Sequence, residues 1–289
     1  MSKKPYDFLL SEKEPIQYIE HAKIMMKDGF LTAMQGKLGM KVIAPSGLML
    51  LMLGAGTSIT QEAAIFCAFN DLQVCFVKGK VNIHSIWMSG RYQNPNSLKN
   101  QVLKIENNRL EYAKALLFYR FFLLNKATQT IKVEIEKLSS LNEILLYEAR
   151  WAKTIYKEYS MKYGVTFVRN HDVVDNTDYI NERLNILNNA LYSIVTAIAL
   201  SVGLSPSIAI LHGESRRGGL AFDLADLMKT KIIFDLAFDK KEITTKLLMY
   251  EFANKLKENN QENIKIILKI CLSLSENEDN LLEILKVDI

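Results

Sequence analysis

Up to about residue 95 the apolar positions occur in short or alternating runs separated by turn residues, a pattern typical of β-strands. Residues 18–27 and 30–34 flank Asp28-Gly29, a dipeptide that favours the positive φ angles of a tight hairpin turn. Further strands are predicted over residues 42–44, 48–53, 74–77 and 81–87. This part of the chain therefore predicts a small β-rich domain.

Residues 54–60, Gly-Ala-Gly-Thr-Ser-Ile-Thr, follow an apolar run and precede a short helical pattern over residues 61–69. A glycine-rich turn between a strand and a helix is compatible with a phosphate-binding loop. The third glycine of a dinucleotide fingerprint and the lysine of a P-loop are both absent. The pattern therefore favours a plain strand-turn-helix junction, with the Thr60 hydroxyl as the helix N-cap.

Beyond a polar stretch at residues 91–96 the apolar positions recur at helical spacing. Helices are predicted from residue 96 or 97 to 125, from 141 to 163 behind the capping box Ser140-x-x-Glu143, and from 176 or 177 to 202, where Gly203 ends the pattern. Four more are predicted over residues 220–229, 242–257, 261–274 and 280–285. We therefore predict an α+β chain: a β-rich N-terminal domain over residues 1–95 and a larger all-α-helical catalytic domain over residues 96–289.

With 289 residues, 49% of them hydrophobic, the chain is long enough and apolar enough to form a hydrophobic core in one large or two ordinary domains. A formal charge of +4 neither requires nor excludes a nucleic-acid partner. The three cysteines form no CxxC pair, and the N-terminus lacks the apolar stretch of a secretory signal, so we expect a cytoplasmic protein. Residues 191–211 carry no charge over about the length of a membrane span, but Gly203 and Pro206 interrupt them and favour a buried helix and a turn.

Four polar residues, at three places in the chain, stand at positions where the pattern predicts apolar ones. Glu148 lies on the inward stripe of the helix after Ser140, and His212 ends the apolar run Ile208-Ala209-Ile210-Leu211. Taken singly, neither indicates a ligand: the pattern favours a buried salt bridge or a rotated stripe for Glu148, and a hydrogen-bonded core histidine for His212. In the apolar helix over residues 220–229, Asp223 and Asp226 stand three residues apart, near one face, which favours ligation over a solvated surface.

Taken together, carboxylates and one imidazole on the helices of one domain form a hard, oxygen-rich set of donors that suits Mg²⁺ or Mn²⁺. Zinc would be better served by more histidines or by thiolates. The chemistry favoured is metal-assisted phosphoryl transfer. A glycine-bounded loop with Arg216 and Arg217 joins His212 to the aspartate helix, and Lys229 and Lys231 follow, so we expect these cations to bind phosphates unless the loop is merely solvated.

Three segments carry a resemblance to a known family. Glu148 in Glu-Ala-Arg-Trp-Ala-Lys, the Leu-His-Gly of residues 211–213, and Gly-Gly-Leu-Ala-Phe-Asp-Leu-Ala-Asp-Leu-Met-Lys of residues 218–229 together resemble the CRISPR-associated integrase of spacer acquisition, Cas-one (Cas1). Residues 51–58 are similar to its N-terminal β-domain. The Arg-Arg-Gly-Gly-Leu loop and residues 181–185, Asn-Glu-Arg-Leu-Asn, resemble the subtype I-F branch most closely.

The resemblance implies that Glu148, His212 and Asp226 are metal ligands and that Asp223 is a neighbouring catalytic acid. It also implies a homodimer paired through the β-domains and assembled with the small Cas-two (Cas2) protein, or with a Cas-two/Cas-three fusion in subtype I-F. The implied reaction is transesterification, in which the 3′-hydroxyl of a short foreign DNA attacks a phosphodiester of the CRISPR repeat. Two alternatives stay open at this stage: a stand-alone branched-DNA or repair nuclease, and a non-catalytic DNA-binding subunit whose acidic cluster is a buried network.

Overall fold

The structure is a computed structural model that describes residues 13–36, 39–78, 82–86, 95–170, 178–213, 219–276 and 282. Within these residues a strand-rich N-terminal region precedes a mostly helical C-terminal region, so the predicted fold class is confirmed. The predicted boundary between residues 95 and 96 remains a prediction. Of the polar stretch predicted as the linker, residues 91–96, positions 91–94 lie outside the described residues, while Pro95 and Asn96 are helical. Most of the helix predicted over residues 280–285 also lies outside them.

The described strands form two four-stranded sheets. The strands are β1 Glu14–Ile19, β2 Lys23–Lys27, β3 Phe30–Gln35, β4 Gly39–Val42, β5 Leu48–Leu53, β6 Ser58–Ile59, β7 Gln73–Lys78 and β8 Asn82–Ile86. The first sheet has the order β1-β5-β7-β8, with β8 antiparallel to β7 and the other pairs parallel. The second has the order β4-β3-β2-β6, in which β2 and β3 form the predicted hairpin. Lys27 pairs with Phe30 across Asp28-Gly29, whose φ angles are 51° and 81°.

The prediction of one strand over residues 18–27 is wrong, because the chain changes sheets within it. Residues up to Ile19 belong to β1, and β2 begins only at Lys23. His21, with a φ of 51°, turns the chain between them. A positive φ at a residue other than glycine leaves no clear signal in an otherwise alternating sequence. The strand predicted over residues 42–44 is also displaced and ends at Val42.

The junction after β5 folds as predicted. Helix α1, Gln61–Phe69, begins behind Thr60, whose side chain accepts a hydrogen bond from the backbone N–H of Ala63. Gly56 in the preceding turn has a φ of 66°, the left-handed region that glycine adopts without strain. The N-cap and the bounds of this helix are therefore confirmed.

Six further helices follow in the described residues. They are α2 Pro95–Leu123, α3 Gln129–Glu136, α4 Leu141–Tyr163, α5 Tyr179–Ser201, α6 Gly219–Phe238 and α7 Thr245–Ser275. The Ser140 side chain caps α4 by accepting from the backbone N–H of Glu143, while the Glu143 carboxylate accepts from the N–H of Ser139. Helix α5 begins behind Asp178 rather than at the predicted residues 176–177, which lie outside the described residues.

Four helix predictions need correction. Helix α3 was not predicted, and α2 begins at Pro95, ahead of the predicted cap at residue 96 or 97, and is kinked at Asn108. Helix α6 extends nine residues beyond the predicted end at residue 229, to Phe238. The separate helices predicted over residues 242–257 and 261–274 are the single helix α7. The polar stretch between them contains no glycine or proline, so the backbone continues as one helix.

Strand β5 connects the two regions, since all six of its residues are buried. Leu50 and Met52 belong to the large core formed with the helices, whereas Leu51 and Leu53 belong to a smaller core among the strands and α1. A strand covered on both faces needs this continuous apolar sequence. Helices α5 and α7 pack on the first sheet, and α6, which carries the two aspartates singled out above, packs on both of these helices.

Helix α5 is long and apolar enough to span a membrane, but 72% of its most apolar window is buried within the protein. It packs against α6 and against β5 and β8. This placement agrees with the predicted buried helix. The three cysteines, Cys67, Cys75 and Cys271, are buried and form no disulfide, as expected for small core residues.

Candidate metal centre

Glu148, His212 and Asp226 come together from three separate parts of the chain. Helix α4 supplies Glu148, the turn that precedes α6 supplies His212, and α6 supplies Asp226. One ligand atom from each, two carboxylate oxygens and one imidazole nitrogen, lie within 4.8 Å of one another. They line one pocket, whose wall consists of Leu116, Leu117, Arg120, Glu148, Leu211, His212, Asp223, Asp226 and Leu227.

The two carboxylate oxygens of Glu148 have different environments. Oε1 accepts a hydrogen bond from Nη1 of Arg120 at 2.5 Å, and Oε2 lies 3.8 Å from Nε2 of His212. Burial raises the pKa of Glu148, and the negative charge of Asp226 raises it further, against the lowering effect of Arg120 and His212. Oε1 is therefore held by Arg120, while Oε2 faces the centre of the cluster.

Arg120 is the site residue that the sequence patterns did not indicate. It lies on α2 with only 6% of its surface exposed, and its guanidinium carbon lies 4.4 Å from the ring centroid of Trp151. A signal existed, because Arg120 follows Leu116 and Leu117 by four and three residues on the buried face of α2. It is a charged residue within an apolar stripe, the same anomaly that marks Glu148.

Asp223 holds the imidazole of His212 in place rather than joining the ligand cluster. Its carboxylate accepts backbone N–H groups from Ile210, Leu211 and His212 at 2.7, 3.0 and 3.1 Å. The same carboxylate lies 2.7 Å from Nδ1 of His212. A donated Nδ1–H at this position fixes the tautomer and leaves Nε2, the nitrogen that faces Glu148, as the free donor atom.

The charges around His212 favour its protonated form when no cation is present. Burial alone would lower the pKa of His212. The hydrogen bond to Asp223, together with the charges of Asp223, Asp226 and Glu148, outweighs burial and raises the pKa above its ordinary value. An imidazole surrounded by carboxylates shows that the pocket attracts positive charge.

Gly219 allows α6 to begin directly against the turn that carries His212. A Cβ atom at this position would lie 2.6 Å from Cβ of Ala209 and 3.0 Å from the carbonyl oxygen of His212. No side chain fits at these distances without moving the turn. The absence of a side chain at residue 219 therefore sets the distance between His212 and the aspartates of α6.

Asp226 is paired with Lys229, one turn along α6, at 3.4 Å between Oδ1 and Nζ. Burial alone would raise the pKa of Asp226, but the charges of Lys229 and Arg120 outweigh burial and lower it to about 2. In the structure Lys229 thus faces Asp226, and its predicted contact with DNA stays a prediction. Arg216 and Arg217 lie outside the described residues.

The donor set fits a divalent cation. Two buried carboxylates side by side repel each other unless a cation or a proton lies between them. The site offers two carboxylate oxygens and one imidazole nitrogen, which are donors expected of a divalent-cation site. The carboxylate of Asp223, at Nδ1 of the same imidazole, gives the support from outside the ligand set that such sites usually have. The described residues offer this one group of three candidate ligands.

Comparison with known proteins points to one family. Residues 119–255, which include Arg120 and all three candidate ligands, match the family model described as CRISPR associated protein Cas1. The chain is 28% identical over 236 residues to "CRISPR-associated endonuclease Cas1 2" of Chlorobaculum tepidum, an alignment that covers 79% of this chain and 75% of the relative.

Two solved structures share the fold at low sequence identity. A Cas1–DNA complex has a TM-score of 0.74 at 20% identity, with 91% of each chain covered. A casposase bound to an integration product has a TM-score of 0.74 at 16% identity, covering 95% of this chain and 96% of that one. The family match over residues 119–255 and the curated relative show that the chain is similar to Cas1 proteins, and the solved structures show that it shares their fold.

Proposed function

We propose that this chain is a Mg²⁺- or Mn²⁺-dependent DNA endonuclease and integrase of CRISPR adaptation that joins the 3′-hydroxyl ends of foreign DNA to the CRISPR repeat. The observation that carries the proposal is the approach of Glu148, His212 and Asp226 within 4.8 Å. Each candidate ligand also has its own partner behind it: Arg120, Asp223 and Lys229 respectively. Such support holds ligands in the geometry that catalysis needs.

The charges of the pocket support binding of a phosphodiester after a cation. With the three carboxylates ionised and His212 protonated, the form that its surroundings favour without an ion, the cations Arg120, Lys229 and His212 balance the negative charges. A divalent ion held by a neutral His212 would leave one positive charge on the pocket. The loaded pocket would then attract the single negative charge of a phosphodiester, whereas the pocket without an ion would not.

When bound, Mg²⁺ or Mn²⁺ supplies activation of the attacking hydroxyl and neutralisation of the charge that develops on the phosphate. Glu148, His212 and Asp226 would hold it, while Asp223 keeps Nε2 of His212 directed at the pocket. We expect Arg216, Arg217 and Lys229 to bind DNA phosphates. Water in place of the 3′-hydroxyl would give hydrolysis, and with it endonuclease activity.

The substrate and partners are proposed from the similarity of this chain to known proteins. A Cas1–DNA complex and a casposase on its integration product share this fold, which supports DNA as the substrate. We further propose a cytoplasmic homodimer, paired through the β-rich regions, that assembles with Cas2 or with a Cas2/Cas3 fusion. Assignment to subtype I-F is likewise a proposal, based on the segments around residues 181–185 and 216–220.

The test is strand joining of a 3′-hydroxyl DNA end to a plasmid in Mn²⁺ by Glu148→Ala and His212→Ala variants. Each variant removes one candidate ligand, so we expect joining to fall on the order of a thousandfold or more. Glu158→Ala is the matched control, since Glu158 lies on the same helix in a half-exposed ion pair with Lys126 and should leave the rate unchanged.

Variants with normal folding that still join DNA would overturn the mechanism. Two other outcomes would change the function. Cutting by the wild-type protein without any joining would indicate a stand-alone branched-DNA or repair nuclease. Absence of Mn²⁺ binding in a calorimetric titration would indicate a non-catalytic DNA-binding subunit whose acidic cluster is structural.

A further inference from the structure

Arg120 is a buried cation in the wall of the candidate metal centre, and it is not a ligand. Its side chain is 7% exposed, and one of its amino groups, Nη1, donates to Glu148. Its Nε is buried without a hydrogen-bond partner among the described residues. A guanidinium has five N–H donors in a planar fork, so the contact with Glu148 leaves donors unused in the pocket wall.

The surroundings keep this charge at a fixed position. The guanidinium stacks on Trp151, which follows Glu148 by three residues on α4, so one helix supplies both the carboxylate and the aromatic ring. Arginine on an aromatic face loses little conformational freedom when it makes hydrogen bonds. A structural ion pair would need neither the unused donors nor an open pocket beside them.

The contact with Glu148 matters differently in the two states of the site. Without an ion, Arg120 neutralises one of two adjacent buried carboxylates, and an unpaired buried carboxylate would be strongly destabilising. With an ion on Oε2 of Glu148, that need disappears, because the ion neutralises the same carboxylate. The positive charge of Arg120 then remains beside the pocket.

Building on the proposed function, we infer that Arg120 is a phosphate-binding residue: it neutralises Glu148 while the site holds no ion and donates to the scissile phosphodiester once the site is loaded. The planar fork suits two oxygens of one phosphate. Arg120 also opposes ion binding, since its charge repels a divalent cation. The residue therefore lowers the affinity for the ion and strengthens the reaction that the ion permits.

The experiment compares wild-type protein with Arg120→Gln, Arg120→Lys and Arg150→Gln. Arg150→Gln is the matched control, because Arg150 lies two residues from Glu148 but is exposed. Three quantities are measured: the Mn²⁺ dissociation constant by calorimetry without DNA, the melting temperature with and without Mn²⁺, and the joining rate at saturating DNA and Mn²⁺.

For Arg120→Gln we expect tighter Mn²⁺ binding, on the order of tenfold, because a unit charge a few ångströms from a divalent ion has that effect even in a water-like dielectric. Its melting temperature without Mn²⁺ should fall and should recover when Mn²⁺ is added. Its joining rate at saturation should fall about 10²-fold, as when one transition-state donor is lost. Arg120→Lys should bind Mn²⁺ like the wild type but join more slowly, and Arg150→Gln should match the wild type throughout.

Unchanged or weaker Mn²⁺ binding by Arg120→Gln, or joining at the wild-type rate, would overturn the inference while leaving the proposed function in place. If Arg120→Gln folds only with Mn²⁺, Arg120→Lys decides: full joining by that variant would also overturn it. A wild-type protein that binds no Mn²⁺ would instead overturn the proposed function, and the inference with it.

Discussion

The two ends of α6 carry the same kinds of residue in different surroundings. At the N-terminal end Asp226 pairs with Lys229 at 3.4 Å, and both side chains are less than one fifth exposed. At the C-terminal end Asp235 pairs with Lys162 at 2.6 Å, where the lysine is more than half exposed. The shorter ion pair is thus the one in solvent. The length of an ion pair does not identify a functional carboxylate; its burial and its neighbours do.

The neighbours of the two aspartates differ in kind. Asp226 shares its pocket with Glu148, His212 and Arg120, so negative and positive groups surround a common point. Asp235 accepts hydrogen bonds from Lys162 and from the hydroxyl of Tyr163, with no second carboxylate in that contact. The first arrangement suits a cation at that common point, whereas the second is an ion pair with one additional hydrogen bond.

The largest expected difference between the two ends comes from removing one negative charge from each. Asp226→Asn should lower the joining rate on the order of a thousandfold or more, because it removes a proposed metal ligand. Asp235→Asn, the same change on the same helix, should leave the rate unchanged. Measuring both rates in Mn²⁺, with Mn²⁺ binding by calorimetry, checks the contrast. Equal rates in the two variants would remove the distinction between the ends.

A smaller effect is expected from Gly219→Ala at the first residue of α6. The new Cβ would require the turn at Ala209 and His212 to move, which displaces the imidazole from the carboxylates. A displacement near 1 Å can cost on the order of 10²-fold in rate. We therefore expect weaker Mn²⁺ binding and slower joining, with the far end of the helix unaffected. Wild-type Mn²⁺ affinity in a folded Gly219→Ala protein would show that the turn does not set the site.

The aspartates near the N-terminal end of α6 could be predicted from the sequence, but the length of the helix could not. Asp223 and Asp226 stand out because aspartates are unusual in an apolar helix, and such a contrast is visible without a structure. The extension to Phe238 was missed because α6 as a whole has no clear amphipathic period, and Lys231 and Asp235 interrupt the apolar residues beyond 229. Their burial depends on an aromatic cluster with Tyr156, Tyr159 and Phe167, which are distant in sequence.

Other misses have local physical reasons. Helix α3 is only eight residues long, too short for its few apolar positions to establish a period. Arg120 was passed over because a long cation on a helix usually extends to solvent. Only the tertiary contact with Glu148 and Trp151 shows it buried. For Arg120 the missing information is therefore a contact between segments that the sequence places far apart.

The smallest expected effect concerns the pH dependence of stability at the C-terminal end of α6. Burial alone would raise the pKa of Asp235, but hydrogen bonds from Lys162 and Tyr163 outweigh burial and lower it below its ordinary value of 3.8. A carboxyl whose pKa is lower in the folded protein stabilises the fold above its unfolded pKa, and this stabilisation is lost as the pH falls through the folded pKa. The free energy of unfolding should therefore differ between wild type and Asp235→Asn at neutral pH, and the difference should shrink as the pH falls below about 4 and vanish only below the folded pKa.

The size of this difference should be a few tenths of a kcal/mol, because partly exposed ion pairs are screened by solvent. Urea unfolding of both proteins at pH 7 and at pH 3 measures it, and added salt should reduce it at pH 7. A difference that did not shrink between pH 7 and pH 3 would mean that Asp235 acts through packing rather than charge. In that case the contrast between the two ends of α6 would rest on the buried carboxylates alone.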